Sequence, residues 1–99
     1  MTVYIASYID LEFYENSYIC RVSHDKSEAI SAILNAASYT EKDGMLHQFG
    51  SFCDEYESYQ ELYDKISNEC LLYDAEYDLY TLTCLEVQNL KCNEKEKKN

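Results

Sequence analysis

The sequence has no proline and only two glycines, Gly44 and Gly50, in 99 residues. It therefore contains few residues that must break a helix or strand and no flexible linker, which favours a single domain. The longest uncharged run, residues 29–40, is too short and too polar to span a bilayer. The N-terminal MTVYIASYID has no basic region, so we expect no signal peptide.

Positive charge is also scarce, with 8 Lys and Arg against 19 Asp and Glu and a net charge of −11. Residues 1–88 hold 17 of the acids and 4 of the basic residues, which gives −13. Residues 89–99 hold four Lys against two Glu. A body of this charge repels nucleic acid and anionic membranes, so its partners should be basic. We expect an acidic domain over residues 1–88 and a Lys-rich flexible tail over residues 89–99.

The cysteines do not form the even, regularly spaced set of a disulfide framework. There are five: Cys20, Cys53, Cys70, Cys84 and Cys92. A secreted disulfide scaffold favours an even count and a secretory signal. We interpret these residues as reduced thiols of a cytoplasmic protein.

Signatures of catalysis and of cofactor binding are missing. The sequence contains neither GxxxxGK(S/T) nor GxGxxG, the loops that cradle phosphates, and no catalytic Cys–His signature. Two Cys–His half-sites, within residues 20–24 and 47–53, have no CxxC motif to complete a zinc site. Asp74, Glu76 and Asp78 have calcium-loop spacing, but leucines replace its required glycine and bidentate glutamate. We expect no enzyme, no cofactor and no metal.

Three segments have the character of β-strands. Along residues 2–9 (TVYIASYI), β-branched and aromatic side chains alternate between two faces, which predicts a strand. Residues 17–23 (SYICRVS) predict a second strand, antiparallel to the first. Residues 79–88 (LYTLTCLEVQ) predict a strand that closes the fold.

Two segments carry helix start signals. Asp25 is a favourable N-cap, Glu28 could complete a capping box, and an apolar stripe at helical spacing follows. A second helix is predicted from near Ser58, with Glu61 completing a capping box, to about Cys70. Its start could also lie earlier, near residue 54.

The resulting order is β-β-α-(β?)-α-β, an α+β domain with an antiparallel sheet of three or four strands packed against two helices. Residues 40–44 (TEKDG) are predicted to form a turn. Residues 45–52 (MLHQFGSF) fit either a short strand or a packed loop. Residues 71–78 (LLYDAEYD) fit either a helical extension or a short strand with a turn.

Residues 53–64 (CDEYESYQELYD) concentrate five carboxylates and three tyrosines, with no basic residue. On a helix beginning near residue 54, two stripes would lie on opposite sides. The solvent stripe would hold Asp54, Glu57, Glu61 and Asp64, and the buried stripe Tyr59, Leu62, Tyr63, Ile66 and Cys70. Adjacent like charges destabilise a helix by a few tenths of a kcal/mol per pair, roughly. The acids are therefore either an ordinary solvated surface or a binding face retained despite self-repulsion.

The chain resembles the small acidic proteins that phages and mobile elements encode against host defence, including DNA mimics and anti-CRISPR proteins. The resemblance lies in one compact domain, the charge of residues 1–88, the run DEYESYQELYD, and the opening VYIASYIDLEFYENSYICRVSHDKSEAI. It implies occupation of a basic groove by charge mimicry, in the cytoplasm of the host cell.

We therefore expect an inhibitory protein whose acidic, Tyr-rich face occupies the nucleic-acid-binding groove of a host protein, such as a defence nuclease. The expected partner-binding residues are Asp54, Glu55, Tyr56, Glu57, Glu61, Asp64, Asp74, Glu76 and Asp78. One alternative is a pocket for a signalling nucleotide or metabolite, with Arg21, His24 or His47 meeting an anion, in a possible homodimer. Another is an acidic accessory subunit or adaptor.

Overall fold

In a computed structural model, which describes residues 1–88, seven strands and two α-helices follow one another along the chain. The elements are β1 (Thr2–Asp10), β2 (Tyr18–Ser23), α1 (Lys26–Ala36), β3 (Tyr39–Lys42), β4 (Met45–Gln48), β5 (Ser51–Phe52), α2 (Tyr59–Glu69), β6 (Leu71–Ala75) and β7 (Asp78–Glu86). The predicted α+β class is confirmed, but with two antiparallel sheets instead of one. The predicted Lys-rich tail, residues 89–99, lies outside the described residues.

The larger sheet has the strand order β2-β1-β7-β6, and its neighbours are all antiparallel. β1 and β7 form its centre, in unbroken register from Thr2 opposite Glu86 to Asp10 opposite Asp78. A bulge between Ala6 and Ser7 shifts the register with β2. The three strands that the sequence predicts all belong to this sheet. Their residues are rich in β-branched and aromatic side chains, which favour strands.

The smaller sheet has the order β3-β4-β5 and is joined by two-residue turns. Each turn consists of two left-handed residues, as in a type I′ hairpin. The first turn is Asp43 and Gly44 (φ 54° and 78°), and the second is Phe49 and Gly50 (φ 54° and 79°). The predicted turn at residues 40–44 is therefore too long, since Thr40 already pairs within β3. The open alternative for residues 45–52 is decided in favour of strand.

Residues 71–78 are also strand followed by a turn, not a helical extension. Cys70 ends α2 in the left-handed conformation (φ 61°), and its amide donates to the Ile66 carbonyl. The chain then reverses into β6, which pairs with β7 through Leu72 opposite Tyr80. Cys70 is exposed, so its predicted place on the buried stripe of the helix is wrong.

At the start of α1, the predicted N-cap is present but the predicted capping box is not. The Asp25 carboxylate accepts from the Ser27 amide at 2.9 Å, which confirms it as the N-cap of α1. Glu28 does not complete a capping box, because its carboxylate binds Arg21 and the Ser23 hydroxyl instead. This pairing ties the first turn of α1 to β2.

The core lies between the two helices and one face of the larger sheet. Its fully buried side chains include Ile30, Ile33 and Leu34 of α1 and Leu62 and Ile66 of α2. They pack on the sheet through Ala6, Leu72, Tyr80 and Leu82, and on the smaller sheet through Tyr39 and Leu46. No helix among the described residues is long and apolar enough to cross a bilayer.

The opposite face of the larger sheet, here called the outer face, takes no part in this core. By strand alternation and cross-strand register it carries Val3, Ile5, Ser7, Ile9, Ile19, Val22, Leu71, Tyr73, Leu79, Thr81, Thr83 and Leu85. None of these residues belongs to the buried cluster. Both helices pack on the other side, so the domain has two layers with one sheet face open.

Candidate binding surface

The acid-rich stretch that the sequence singles out is divided between a loop and a helix. Ser58 is the N-cap of α2, and its hydroxyl accepts from the Glu61 amide at 3.1 Å. This confirms the predicted start near Ser58 and makes the alternative start near residue 54 wrong. Asp54 and Glu57 therefore precede the helix, and a single helical stripe of four acids does not form.

The loop and the first turns of α2 still bring the predicted acids close together. The Glu61 carboxylate accepts from the backbone amide of Glu57, which joins the loop to the first turn. Asp64 lies on the next turn, and its carboxylate accepts a hydrogen bond from the Gln60 side-chain amide at 2.9 Å. We call the exposed carboxylates of this surface the acidic face; they are Asp54, Glu55, Glu57, Glu61 and Asp64.

The acidic face has little positive charge to neutralise it. Lys65 is the only Lys or Arg between residues 43 and 88. Its ammonium group binds both carboxylate oxygens of Glu69 at 2.9 Å, one turn further along α2. This bond raises the pKa of Lys65, mainly through hydrogen bonding to Glu69. The one positive charge of the helix is thus paired with an acid outside the acidic face.

A further carboxylate, which sequence reasoning missed, lies beside the start of α2. Burial raises the pKa of the Tyr59 phenol, and the charge of Glu41 acts in the same direction. Glu41 is an exposed residue of β3, so the smaller sheet brings it near a helix that begins 18 positions later (59 minus 41). Only the tertiary arrangement of β3 and α2 reveals this neighbour.

The ring that the sequence favours for partner binding, Tyr56, is partly covered by the core. Tyr56 is half-buried and packs against the core, and burial raises the pKa of its phenol. That Tyr56 contacts a partner stays a prediction, and only the exposed part of its ring could make that contact. Two exposed rings, Phe49 (75%) and Phe52 (59%), lie in the turn and strand that lead into the loop.

Asp74, one of the predicted binding residues, is a half-buried link between the two sheets. Its Oδ1 accepts from the Tyr39 hydroxyl and from the Gln48 side-chain amide, both at 2.8 Å. Gln48 also donates to the Ala37 carbonyl at 2.9 Å. Burial, and then the hydrogen bond to Asp74, raise the pKa of Tyr39 well above its usual range. The Asp74 carboxylate is therefore already bonded within the fold.

Asp78 is similarly occupied, whereas Glu76 is free on a turn. The Tyr8 hydroxyl donates to Asp78 at 2.6 Å, and this bond is the main reason that the pKa of Tyr8 is raised to about 12. Asp78 pairs with Asp10 across the β1–β7 register, at the end of the sheet where the β1–β2 loop begins. Glu76 is exposed in the β6–β7 turn at that end.

The residues proposed for an anion pocket are not brought together. Arg21 forms an ion pair with Glu28 at a shallow depression of about 260 Å³ between β2 and α1. The His24 ring contacts the Thr2 carbonyl oxygen at 3.1 Å. His47 lies in the smaller sheet, where its ring meets Phe52 with centroids 6.0 Å apart. The geometry of residues 1–88 gives an anionic ligand no shared cationic site.

Side chains that could bind a metal are also dispersed. Within residues 1–88, no group of three or more His, Cys, Asp or Glu side chains is arranged to hold a metal ion. The four cysteines of this part of the chain are free thiols, and burial raises the pKa of Cys20.

Comparison with models of protein families, with curated proteins and with solved structures found no match to this chain.

Proposed function

We propose that this chain is a non-enzymatic inhibitory protein, encoded by a phage or mobile element. In this proposal, its acidic face occupies the basic nucleic-acid-binding groove of a host protein such as a defence nuclease. The observation that carries the proposal is the lack of neutralisation. Five exposed carboxylates lie on one loop and two helical turns, and the one Lys of α2, Lys65, is paired with Glu69 instead.

Electrostatics explain why such a surface suits a groove that binds nucleic acid. Unpaired carboxylates retain their full charge, so Arg and Lys that normally meet phosphates gain comparable charge-assisted bonds. The bond from the Glu57 backbone amide to the Glu61 carboxylate fixes the position of one of the charges. Exposed Phe49 and Phe52 offer flat rings at the border, where a groove for nucleic acid stacks bases.

The structure supports a narrower set of contact residues than the sequence alone. The acidic face and Glu41 are exposed, although Glu61 and Asp64 each also accept a local hydrogen bond. Asp74 and Asp78 accept hydrogen bonds from Tyr39, Gln48 and Tyr8, so we assign their main role to the fold. Glu76 is exposed, but it lies in the β6–β7 turn, away from the loop that carries the acidic face along the chain.

The test is capture of a partner from host-cell lysate, with two charge-reversal variants of equal charge change. The protein is immobilised, and bound proteins are released by a salt gradient or by duplex DNA. The first variant is Asp54→Lys with Glu57→Lys, in the loop of the acidic face. The matched control is Glu12→Lys with Glu15→Lys, two exposed acids of the β1–β2 loop.

We expect a nucleic-acid-binding protein that duplex DNA displaces, that is released as salt rises, and that the Asp54/Glu57 variant fails to capture. The control variant should capture it normally. Equal loss in both variants would show that only total charge matters. A basic partner that DNA cannot displace would indicate an adaptor, and unchanged capture by the Asp54/Glu57 variant would refute the proposed site.

A further inference from the structure

The outer face of the larger sheet is uncharged in a strongly acidic protein. Its residues are aliphatic, aromatic, Ser or Thr, and none carries a charge. Over residues 1–88 the net charge is −13, so this absence is not a general property of the surface. An antiparallel sheet with one solvated face normally alternates apolar and polar residues. Here β1 places Val3, Ile5 and Ile9 on the side away from the helices.

The edges of this apolar surface are open to solvent. Ile19 is 63% exposed, Tyr73 60% and Val22 57%, on the two edge strands of the sheet. Between the edge strands, β1 adds Val3, Ile5 and Ile9, which are half-buried. β7 adds Leu79, also half-buried, and Leu85, which is 46% exposed. Monomeric soluble proteins rarely expose a contiguous apolar surface of this kind, and such surfaces are typical of interfaces.

We propose that the outer face packs against the same face of a second copy of this chain, which makes the protein a face-to-face dimer. Two sheets pack in this way about 10 Å apart, with interdigitating side chains. A two-fold dimer needs one self-complementary surface, and an uncharged sheet face meets that condition. This inference does not depend on the proposed function.

The planar area of the outer face sets a lower limit close to the smallest specific interfaces. Strands of 9, 6, 5 and 9 residues cover a plane of about 460 Å² per copy, at about 3.3 Å per residue and about 4.8 Å per strand. The planar area of two copies is thus about 900 Å², and the area buried in a dimer would be larger because side chains make the surface uneven. Exposed Met1 and Val87 extend the same face. Stable interfaces begin near about 1,200 Å² in total, which this surface approaches.

The distribution of charge favours a second copy over a basic partner at the outer face. Two bodies of −13 repel, so they can associate only where charge is absent, and the outer face is such a place. The acidic face lies on α2 and its preceding loop, and α2 packs on the other side of the sheet. A basic partner would be drawn to the acids and not to this neutral surface. Residues 89–99 contain one large apolar side chain, Leu90, too few to cover it.

The test uses a matched pair of Thr→Glu variants in the full chain. Thr83→Glu places a carboxylate on the outer face, on inner strand β7 opposite Ile5. Thr40→Glu adds the same charge on β3 of the smaller sheet, at a position that is also exposed. Molar mass is measured by light scattering on a sizing column, and folding by circular dichroism.

The wild type and Thr40→Glu should have twice the chain mass of 11.6 kDa, and Thr83→Glu should have the chain mass. Burying two carboxylates should raise the dimer Kd by at least about 100-fold. If Thr83→Glu does not fold, Ile19→Glu, at an exposed edge position, replaces it. A monomeric wild type would overturn the proposal and leave the face to another partner or to residues 89–99. A dimer that survives the outer-face substitutions would also overturn it.

Discussion

Replacing Asp74 with alanine should destabilise the protein more than any other single loss of a carboxylate among residues 1–88. Its Oδ1 is the shared acceptor of the Tyr39 hydroxyl and the Gln48 amide, both at 2.8 Å. These bonds connect β6 of the larger sheet to β3 and β4 of the smaller one. Removal of the carboxylate therefore loosens the contact between the sheets.

The magnitude follows from what is left unpaired. Tyr39 is 2% exposed, so its hydroxyl has no access to water and loses its partner at a cost of about 1–3 kcal/mol. Gln48 keeps its bond to the Ala37 carbonyl, so its loss is smaller, about 1 kcal/mol. Together these losses amount to about 2–4 kcal/mol, which lowers Tm by roughly 10–25 °C in a domain of this size.

The assay is urea denaturation followed by circular dichroism, with two comparison variants. Asp74→Asn keeps a side-chain oxygen as acceptor and should cost about 1 kcal/mol. Tyr39→Phe removes the buried donor together with its need for a partner. In the double variant Asp74→Ala with Tyr39→Phe, the combined loss should be smaller than the sum, with a coupling of about 1 kcal/mol or more.

A loss below about 0.5 kcal/mol in Asp74→Ala would refute this reasoning, because exposed substitutions cost that little. The same variants separate fold from function. If Asp74 acts within the fold, Asp74→Asn should still capture the partner under conditions where it is folded. A folded Asp74→Asn protein that captures nothing would return Asp74 to the binding site.

Four further outcomes follow from the structure. Ser58→Ala removes the acceptor of the Glu61 amide and should lower the free energy of unfolding by about 1 kcal/mol, measured in urea. Phe49→Asn relieves a left-handed backbone (φ 54°) at a bulky residue and should stabilise the protein by about 1 kcal/mol in the same assay. The pKa of Tyr8 is about 12 in the folded state against 10.0 ordinarily, so its bond to Asp78 stabilises fully below pH 10 and is lost as pH rises through 12. Salt at about 0.5 M should raise Tm at pH 7, because it screens the self-repulsion of the acidic body.

Each of these has a control. Ser58→Asp retains an N-cap acceptor and should keep most of the stability. If Phe49→Asn destabilises the protein, the Phe49 ring contributes packing that its exposure does not indicate. Tyr8→Phe should reduce the loss of stability between pH 10 and 12, and an unchanged alkaline profile would contradict the role of its proton. A Tm that falls with salt would show that the few ion pairs outweigh the repulsion.

Local sequence signals predicted the elements that depend on neighbours along the chain. The alternation in residues 2–9 predicts β1, Asp25 and Ser58 predict the starts of the helices, and both caps are made. In the smaller sheet, β4 and β5 fit an alternative that the sequence leaves open, and β3 overlaps a segment predicted as a turn. These strands have 2–4 residues and no clear period. The turns between them depend on φ values at Asp43 and Phe49 that non-glycine residues rarely adopt.

The candidate surface was predicted only in part. The concentration of acids in residues 53–64 is visible in the sequence, but its division between loop and helix depends on where Ser58 caps α2. The binding of Asp74 by Tyr39 and Gln48 joins residues 26 to 35 positions apart, and no local pattern shows it. The alternation in residues 2–9 shows two faces of β1 but does not indicate which one the helices cover.

By itself, the sequence determined the charge, the α+β class and the positions of the helices and long strands, because composition, alternation and capping act locally. Only the tertiary structure decided which acids are free and which are bonded within the fold. It also decided that both helices cover the face of Ala6, Tyr80 and Leu82 and leave the other face open. That choice depends on side chains from distant segments filling one common core, which neighbouring residues in the chain do not specify.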